Sequence, residues 1–176
     1  MMWDLLWIVP LMLLLMFLKA FFSGSEIALV SADRIHLRHK ASRGNRGAAA
    51  VLQMESKPAL HLATTLVGTN LAIVSLTTLG TLVMMRLFGD RGEIYAILLL
   101  SPLFLVLTEV VPKSVFQQKA DEVAPVVIWP LRAFMVLLFP VVFLFAAIAR
   151  LAARLVGSKE IQHVFMTRDM AVSYTH

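Results

Sequence analysis

Residues 94–111 read IYAILLLSPLFLVLTEVV, an apolar stretch that holds a single acid, Glu109, near its end. A helix rises about 1.5 Å per residue, so this stretch is close to the thickness of a bilayer's hydrocarbon core, which is about 30 Å. A carboxylate at such depth costs about 2.5–3.5 kcal/mol on insertion scales, so we expect a cation, a proton or a polar partner beside it. The stretch therefore predicts a membrane span with a charged site near its C-terminal end.

The composition places the whole chain in the same class. Of its 176 residues, 59% are hydrophobic and only 15% are charged, and the mean hydropathy is +0.81. A soluble domain is far less apolar, so we predict an integral membrane protein whose main partner is the lipid bilayer. The net charge of +5 comes from basic residues beside apolar runs rather than from a basic face interleaved with aromatic residues, so no nucleic-acid partner is expected. There are no cysteines, which excludes disulfides and thiolate metal ligands.

Two further apolar runs predict the topology. The basic stretch from Arg34 to Lys57 separates the first two runs and indicates a cytoplasmic loop by the positive-inside rule, which places the N-terminus outside and the C-terminus in the cytoplasm. Within this loop, 48–54 is predicted to form a short helix at the inner surface. The first run is too long and lacks early basic residues for a cleaved signal peptide, so we expect an uncleaved helix. The three predicted spans cover about residues 5–32, 62–85 and 94–111.

The last apolar stretch, 123–156, carries basic residues near both ends, among them Arg132 and Arg154. A crossing would send one basic cluster outward, so we predict a bent helix that lies along the inner interface. A fourth crossing is the alternative, because interfacial and spanning helices overlap in hydropathy. The predicted fold class is thus an all-α membrane protein with three transmembrane helices, short cytoplasmic helices, a juxtamembrane belt helix and a cytoplasmic tail at 158–176.

Polar residues interrupt all three spans and predict one cation site. Mg²⁺ is a hard cation that takes six oxygen ligands, and the interruptions supply hydroxyl, amide and carboxylate oxygens. Gly68 allows close helix approach, and Gly24 is expected to allow a distorted turn that exposes backbone carbonyls. Pro112 follows Glu109 closely and predicts a widened or broken helix there. The candidate metal-site residues are Ser23, Ser25, Gly68, Asn70 and Glu109.

Each candidate has a structural alternative. A serine within a span usually donates to its own helix, so Ser23 or Ser25 alone favours a structural role. Asn70 alone is equally consistent with a hydrogen bond between helices. Glu109 is four residues before Lys113 and could pair with it, but a lysine near a helix end more often extends to the surface, so we favour a metal at Glu109. Mn²⁺ and Co²⁺ accept the same octahedral oxygen sites as Mg²⁺.

The order of these motifs resembles a known family. FSGSEIA at 22–28, GTN at 68–70 and EVVPK at 109–113 are similar to the membrane domain of the CorC/CNNM magnesium-transport family, over residues 5 to about 157. The resemblance implies one transmembrane domain at 1–157, with three transmembrane helices and a juxtamembrane helix that surrounds a homodimer like a belt. Family members usually continue into CBS modules that bind ATP. This chain ends at His176, so nucleotide binding is not expected, and 158–176 is interpreted as the start of such a module.

The resemblance also implies a function. It predicts a magnesium transporter of the bacterial inner membrane that exports Mg²⁺ from the cytoplasm, with Na⁺ as the candidate coupling ion. The alternative is a sensor or regulatory membrane anchor that binds Mg²⁺ without transporting it. An enzyme is not expected, because the sequence shows no zinc motif, paired aspartates or Ser-His arrangement.

Overall fold

A computed structural model describes residues 2–54 and 58–156, and all regular structure in these two ranges is helical. Three apolar helical stretches within them are long enough to cross a bilayer: Trp7–Ser31, Leu60–Gln118 and Ala120–Leu144. The predicted class, an all-α membrane protein, is confirmed. The predicted cytoplasmic tail, 158–176, lies outside the described residues.

Helix α1, Met2–Ser31, covers the first predicted span as one continuous α-helix. The predicted distorted turn at Gly24 is wrong, because the helix continues through this position without a break. Packing gives the reason for the glycine: a methyl group there would lie 2.7 Å from the ring of Phe116. Gly24 therefore allows a neighbouring helix to approach α1, rather than interrupting it.

Two short helices follow α1 and fold back on each other. Helix α2, Arg34–Ser42, is capped by Asp33, whose carboxylate accepts a hydrogen bond from the Ile35 N–H at 2.7 Å. Gly44 has a φ of +88°, a left-handed conformation that suits glycine and reverses the chain before α3, Arg46–Met54. The predicted short helices between the first two spans are confirmed.

The second and third predicted spans form a helical hairpin. Helix α4, Pro58–Phe88, is followed by a 3₁₀ turn, Gly89–Arg91, in which Gly89 has a φ of +61°. The returning arm lies against α4, because a methyl group on Gly80 would lie 3.0 Å from Leu100 and 3.2 Å from Phe104. This arm alternates between α and π geometry: α5 Gly92–Tyr95, first π turn Ala96–Leu100, α6 Ser101–Leu105, second π turn Val106–Val110 and α7 Val111–Gln118.

Helix α8, Ala120–Val156, runs back along α1. Near its start, Asp121 accepts a hydrogen bond from the Asp33 N–H at 2.7 Å, and further on the Phe134 ring lies 4.9 Å from the Phe22 ring. Residue numbers rise along α8 as they fall along α1, so the two helices are antiparallel over about three turns. The placement of 123–156 along the inner interface stays a prediction, since α8 is also long and apolar enough to cross a membrane.

A buried core joins α8 to the short helices and to the C-terminal half of α1. Where α3 meets α8, Gly47 lies so close to the Pro125 backbone carbonyl that a methyl group would overlap it. Arg132 donates a hydrogen bond to the Ala50 carbonyl at 3.1 Å, which ties α8 to α3 a second time. This core holds the end of α1 that follows Ser25 against the remaining helices. Its buried members are Ala28, Leu37, Ala48, Ala50, Val51, Met54, Ala124 and Ile128.

Candidate intramembrane ion site

Ser23 and Ser25 lie where α1 is enclosed by its neighbours, and their relative exposures are only 1% and 0%. Neither hydroxyl has a hydrogen-bond partner in the described part of the chain. The threonines differ, since Thr65, Thr69 and Thr108 each donate to a carbonyl one helical turn earlier. A buried hydroxyl without a partner costs about 1–3 kcal/mol. The structural alternative for the serines is therefore not observed, and both oxygens are available to a ligand.

Gly68 lies on the buried side of α4, where this helix packs against α1. A methyl group at Gly68 would lie 2.7 Å from the ring of Phe22, which in turn packs edge-on against Phe134. The predicted close helix approach at Gly68 is confirmed. Because Phe22 directly precedes Ser23, this contact brings α4 next to the serines.

Glu109 lies in the second π turn, Val106–Val110, and Pro112 follows within one turn. Proline has no N–H to donate to the carbonyl of Thr108, four residues earlier, and a π turn is a common way for a helix to absorb such a defect. The predicted widening of the helix at Glu109 is thus confirmed. The π turn changes the direction in which the side chains of the returning arm point, and it does so at Glu109.

Two ammonium groups hold the Glu109 carboxylate. Lys19 Nζ donates to Oε2 at 2.8 Å, and Lys113 Nζ donates to Oε1 at 3.1 Å. The pairing of Lys113 with Glu109, which was considered less favourable than extension of Lys113 to the surface, is observed, while 41% of the Lys113 side chain stays exposed. An acid four residues before a lysine on a helix is the favourable order for an ion pair, and near the hydrocarbon that attraction is screened less than in water.

Lys19 is a residue of this site that the sequence analysis did not identify. Its exposure is 2%, so its ammonium lies between helices rather than at a surface. A signal was present in the sequence, since Lys19 is the one charged residue between Leu5 and Phe22. A charge inside an apolar span needs a partner, and this requirement holds for Lys19 as it does for Glu109. The identity of that partner, 90 residues later, follows only from helix packing.

Asn70 is separated from the other predicted site residues. It is exposed in the single chain, whereas Gly68, two residues earlier, is buried against α1. Two residues correspond to about 200° around a helix, so Asn70 faces away from α1. The buried side of α4 is instead formed by His61, Thr64, Thr65, Gly68, Ala72, Leu76 and Gly80.

The two predicted serines lie on different faces of α1. Ser23 follows Lys19 by one turn and lies on the same face of α1, which is the face that meets Glu109. Ser25 lies closer to the face that carries Phe22. No group of three or more His, Asp or Glu side chains that could hold a metal occurs among the described residues. A cation bound at this site would therefore depend on Glu109 for negative charge and on neutral oxygens for its other ligands. That all five predicted residues act as ligands stays a prediction.

These features define a multi-spanning α-helical membrane protein with a carboxylate held between its helices. Over residues 10–174 the chain matches the family described as the cyclin M transmembrane N-terminal domain. The chain belongs to this family, and the resemblance to CorC/CNNM membrane domains is confirmed.

Relatives of the chain occur in bacteria and in a plant. It is 37% identical over 142 residues to the UPF0053 inner membrane protein YfjD of Escherichia coli, a match that covers 81% of this chain and 33% of that protein. A UPF0053 protein of Haemophilus influenzae is 32% identical over 149 residues, covering 85% and 36% of the two chains. A DUF21 domain-containing chloroplastic protein of Arabidopsis thaliana is 28% identical over 152 residues, covering 86% and 23%. The chain thus spans about a third of the length of the two bacterial relatives.

Proposed function

We propose that this chain is the membrane domain of a magnesium transporter, in which Glu109 and neighbouring neutral oxygens bind dehydrated Mg²⁺ as the transported substrate. The observation that carries the proposal is the Ser23 hydroxyl, which is buried without a partner among the described residues, on the face of α1 that meets Glu109. A membrane site must replace the water that Mg²⁺ gives up reluctantly, and it needs oxygens that no other group already occupies.

The chemistry of the donor set fits a hard cation. Hydroxyl, amide and carboxylate oxygens suit Mg²⁺, whereas the soft thiolate ligands that select zinc or copper are absent from the sequence. Asn70, exposed in the single chain, would complete the site from a second copy of the chain in a homodimer. An asparagine that faces lipid is unfavourable, and a partner helix would remove that exposure.

The family resemblance and the charge pattern support a direction of transport, a coupling ion and an orientation in the membrane. Mg²⁺ would leave the cytoplasm, with inward Na⁺ as the coupling ion, and the N-terminus would lie outside. The basic loop after α1 supports this orientation. The E. coli relative is described as an inner membrane protein, which supports the same location here. No catalytic activity forms part of the proposal.

Reconstituted vesicles with a trapped magnesium-sensitive dye test this function. We expect Mg²⁺ flux with the unaltered chain and a loss of at least about tenfold in Glu109→Gln and in Asn70→Ala, because each removes an oxygen ligand or its charge. Glu93→Gln is the matched control, since Glu93 is an exposed acid beside the turn between α4 and α5. Mg²⁺ binding without flux supports the sensor alternative, and undiminished flux in Glu109→Gln contradicts the proposed site.

A further inference from the structure

Lys19 brings a positive charge into the place where a bound cation would be expected. Its side chain is 3% exposed, compared with 41% for Lys113, the other lysine on Glu109. An ammonium in such surroundings has lost its water and depends on the ion pair with Glu109, since burying an unpaired charge is very unfavourable. Lys113 can extend to the surface on its flexible stem, but Lys19 is confined by the packed helices around it.

Each oxygen of the Glu109 carboxylate accepts a hydrogen bond from one lysine. Oε2 accepts from Lys19 and Oε1 accepts from Lys113, so a metal ion bound to either oxygen would lie beside an ammonium group. The neutral oxygen on the same face, the Ser23 hydroxyl one turn from Lys19, has no hydrogen-bond partner within residues 2–54 and 58–156. The charged ligand is thus paired with two ammonium groups, whereas the neutral ligand is not paired with any described residue.

We propose that the Lys19 ammonium is a tethered competitor of the transported cation: it neutralises Glu109 when no ion is bound and must leave Oε2 when Mg²⁺ binds. This inference rests on the proposed function and adds an affinity-setting residue to it. With both ammoniums in place the site already has one positive charge in excess, so a dication cannot bind stably unless at least one of them moves away. Such a competitor keeps the affinity low enough for the ion to be released again.

A competing lysine and a purely structural lysine predict different effects of Lys19→Met on the Mg²⁺ affinity. If Lys19 only stabilised the helices, Lys19→Met would lower stability and leave the Mg²⁺ affinity unchanged or weaker. If Lys19 competes for Oε2, Lys19→Met removes the competitor and we expect the dissociation constant for Mg²⁺ to fall about tenfold. Glu109 then lacks its buried partner, so added Mg²⁺ should raise the unfolding temperature of the variant by more than that of the unaltered chain.

The experiment is titration calorimetry with MgCl₂ on the purified full chain in lipid nanodiscs, with thermal unfolding in parallel. Lys119→Met is the matched control, because Lys119 is exposed and is not one of the two lysines that bond to Glu109. Its replacement changes the net charge by the same amount as Lys19→Met. We expect tighter binding in Lys19→Met and unchanged binding in Lys119→Met. Unchanged or weaker binding in folded Lys19→Met overturns the inference.

Lys19→Arg decides the question if Lys19→Met does not fold. A guanidinium is always charged and forms two parallel hydrogen bonds to a carboxylate, so it should compete more strongly than an ammonium. We expect Mg²⁺ binding several-fold weaker than in the unaltered chain, and equal or tighter binding overturns the inference.

Glu109→Gln separates this inference from the proposed function. If Glu109→Gln binds Mg²⁺ as well as the unaltered chain does, the proposed site is wrong whatever Lys19 does. If Glu109→Gln abolishes binding but Lys19→Met does not tighten it, the site stands and only the role of Lys19 is overturned.

Discussion

At the scale of single residues, the orphaned serine hydroxyls distinguish this site from ordinary helix packing. A threonine such as Thr77 forms a bond to the Ile73 carbonyl at 2.8 Å, as polar side chains in apolar helices generally do. Ser23 and Ser25 are buried without such a bond to any residue that the structure describes. A buried hydroxyl without a hydrogen bond is unfavourable in the folded state. The presence of two such hydroxyls therefore favours a ligand-binding role over a structural one.

Removing these hydroxyls should therefore separate stability from binding. We expect Ser25→Ala to leave the free energy of unfolding unchanged or to raise it by up to about 2 kcal/mol, because the hydroxyl satisfies no partner. The Mg²⁺ affinity should fall about tenfold. Thermal unfolding without Mg²⁺ and calorimetry with it measure the two effects.

Thr77→Val is the control for this prediction, since it removes a satisfied hydroxyl at nearly constant volume. It should lower stability by about 0.5–1.5 kcal/mol and leave Mg²⁺ binding unaltered. A Ser25→Ala variant that loses stability like Thr77→Val and binds Mg²⁺ normally would show that Ser25 is structural.

Gly68 tests the close approach of α4 and α1. In Gly68→Ala the added methyl group would meet the Phe22 ring at 2.7 Å, and we expect a loss of about 1–3 kcal/mol in stability from overpacking. Phe22→Leu in the same chain should recover part of that loss, because the smaller side chain makes room. Denaturation of the two single variants and the double variant measures this coupling.

Gly80→Ala is the matched control on the same helix. Its methyl group would meet the flexible end of Leu100 at 3.0 Å, and the higher helix propensity of alanine offsets part of the strain. We expect a smaller loss there than at Gly68. Equal losses at both positions would contradict the specific contact with Phe22.

At the scale of elements, the second π turn determines where Glu109 points. Before the turn, Phe104 packs near Gly80 of α4, and after it Phe116 packs against Gly24 of α1. One extra residue in a helix changes the rotation of everything beyond it by about 100°. The π turn therefore lets one arm satisfy two neighbouring helices and present the Glu109 carboxylate to Lys19 at the same time.

Deleting Leu107 should abolish this adjustment. The deletion converts the π turn toward regular helix, so that the contacts before and after it cannot both form. We expect reduced stability and a loss of Mg²⁺ binding, measured by thermal unfolding and calorimetry. Deleting Leu98 from the first π turn is the control, because the register from Ser101 to Gln118 is kept and Mg²⁺ binding should persist. Normal Mg²⁺ binding after deletion of Leu107 would show that the π turn is not needed.

At the scale of the whole molecule, orientation and the placement of α8 are open to a direct test, since the chain contains no cysteine. Single cysteines can be introduced at exposed positions and labelled in intact cells with a membrane-impermeant maleimide. We expect labelling of Asp90→Cys, in the turn between the hairpin arms, and none of Ala49→Cys, on α3. The opposite pattern would reverse the predicted topology.

Gly157→Cys, just beyond α8, tests the predicted belt helix. If 123–156 lies along the inner interface, this cysteine is labelled only after the cells are opened, like Ala49→Cys. If α8 crosses the membrane, it is labelled in intact cells, like Asp90→Cys.

Much of the architecture could be predicted because it depends on composition and local order. A run such as 94–111 has to satisfy its backbone within itself when surrounded by lipid, so its helical state follows from its apolar length alone. Gly44 and Pro112 each affect the backbone only within a few residues. The turn between the two short helices and the widened turn at Glu109 therefore depend on local sequence. The prediction of a distorted turn at Gly24 was wrong, because a glycine can either break a helix or let a neighbouring helix approach it.

Composition and local order are sufficient to predict that this chain is a helical membrane protein, that Glu109 needs a partner inside an apolar span, and that the helix widens there. Helix packing is needed to show that Lys19 is a partner of Glu109, that the serines are buried without a hydrogen bond in the described part of the chain, and that Asn70 faces away from α1. The two sets of features differ in the distance along the chain over which their causes act. Hydropathy and proline act along the chain, whereas an ion pair between residues 90 positions apart depends on the angle at which each helix is rotated against its neighbours.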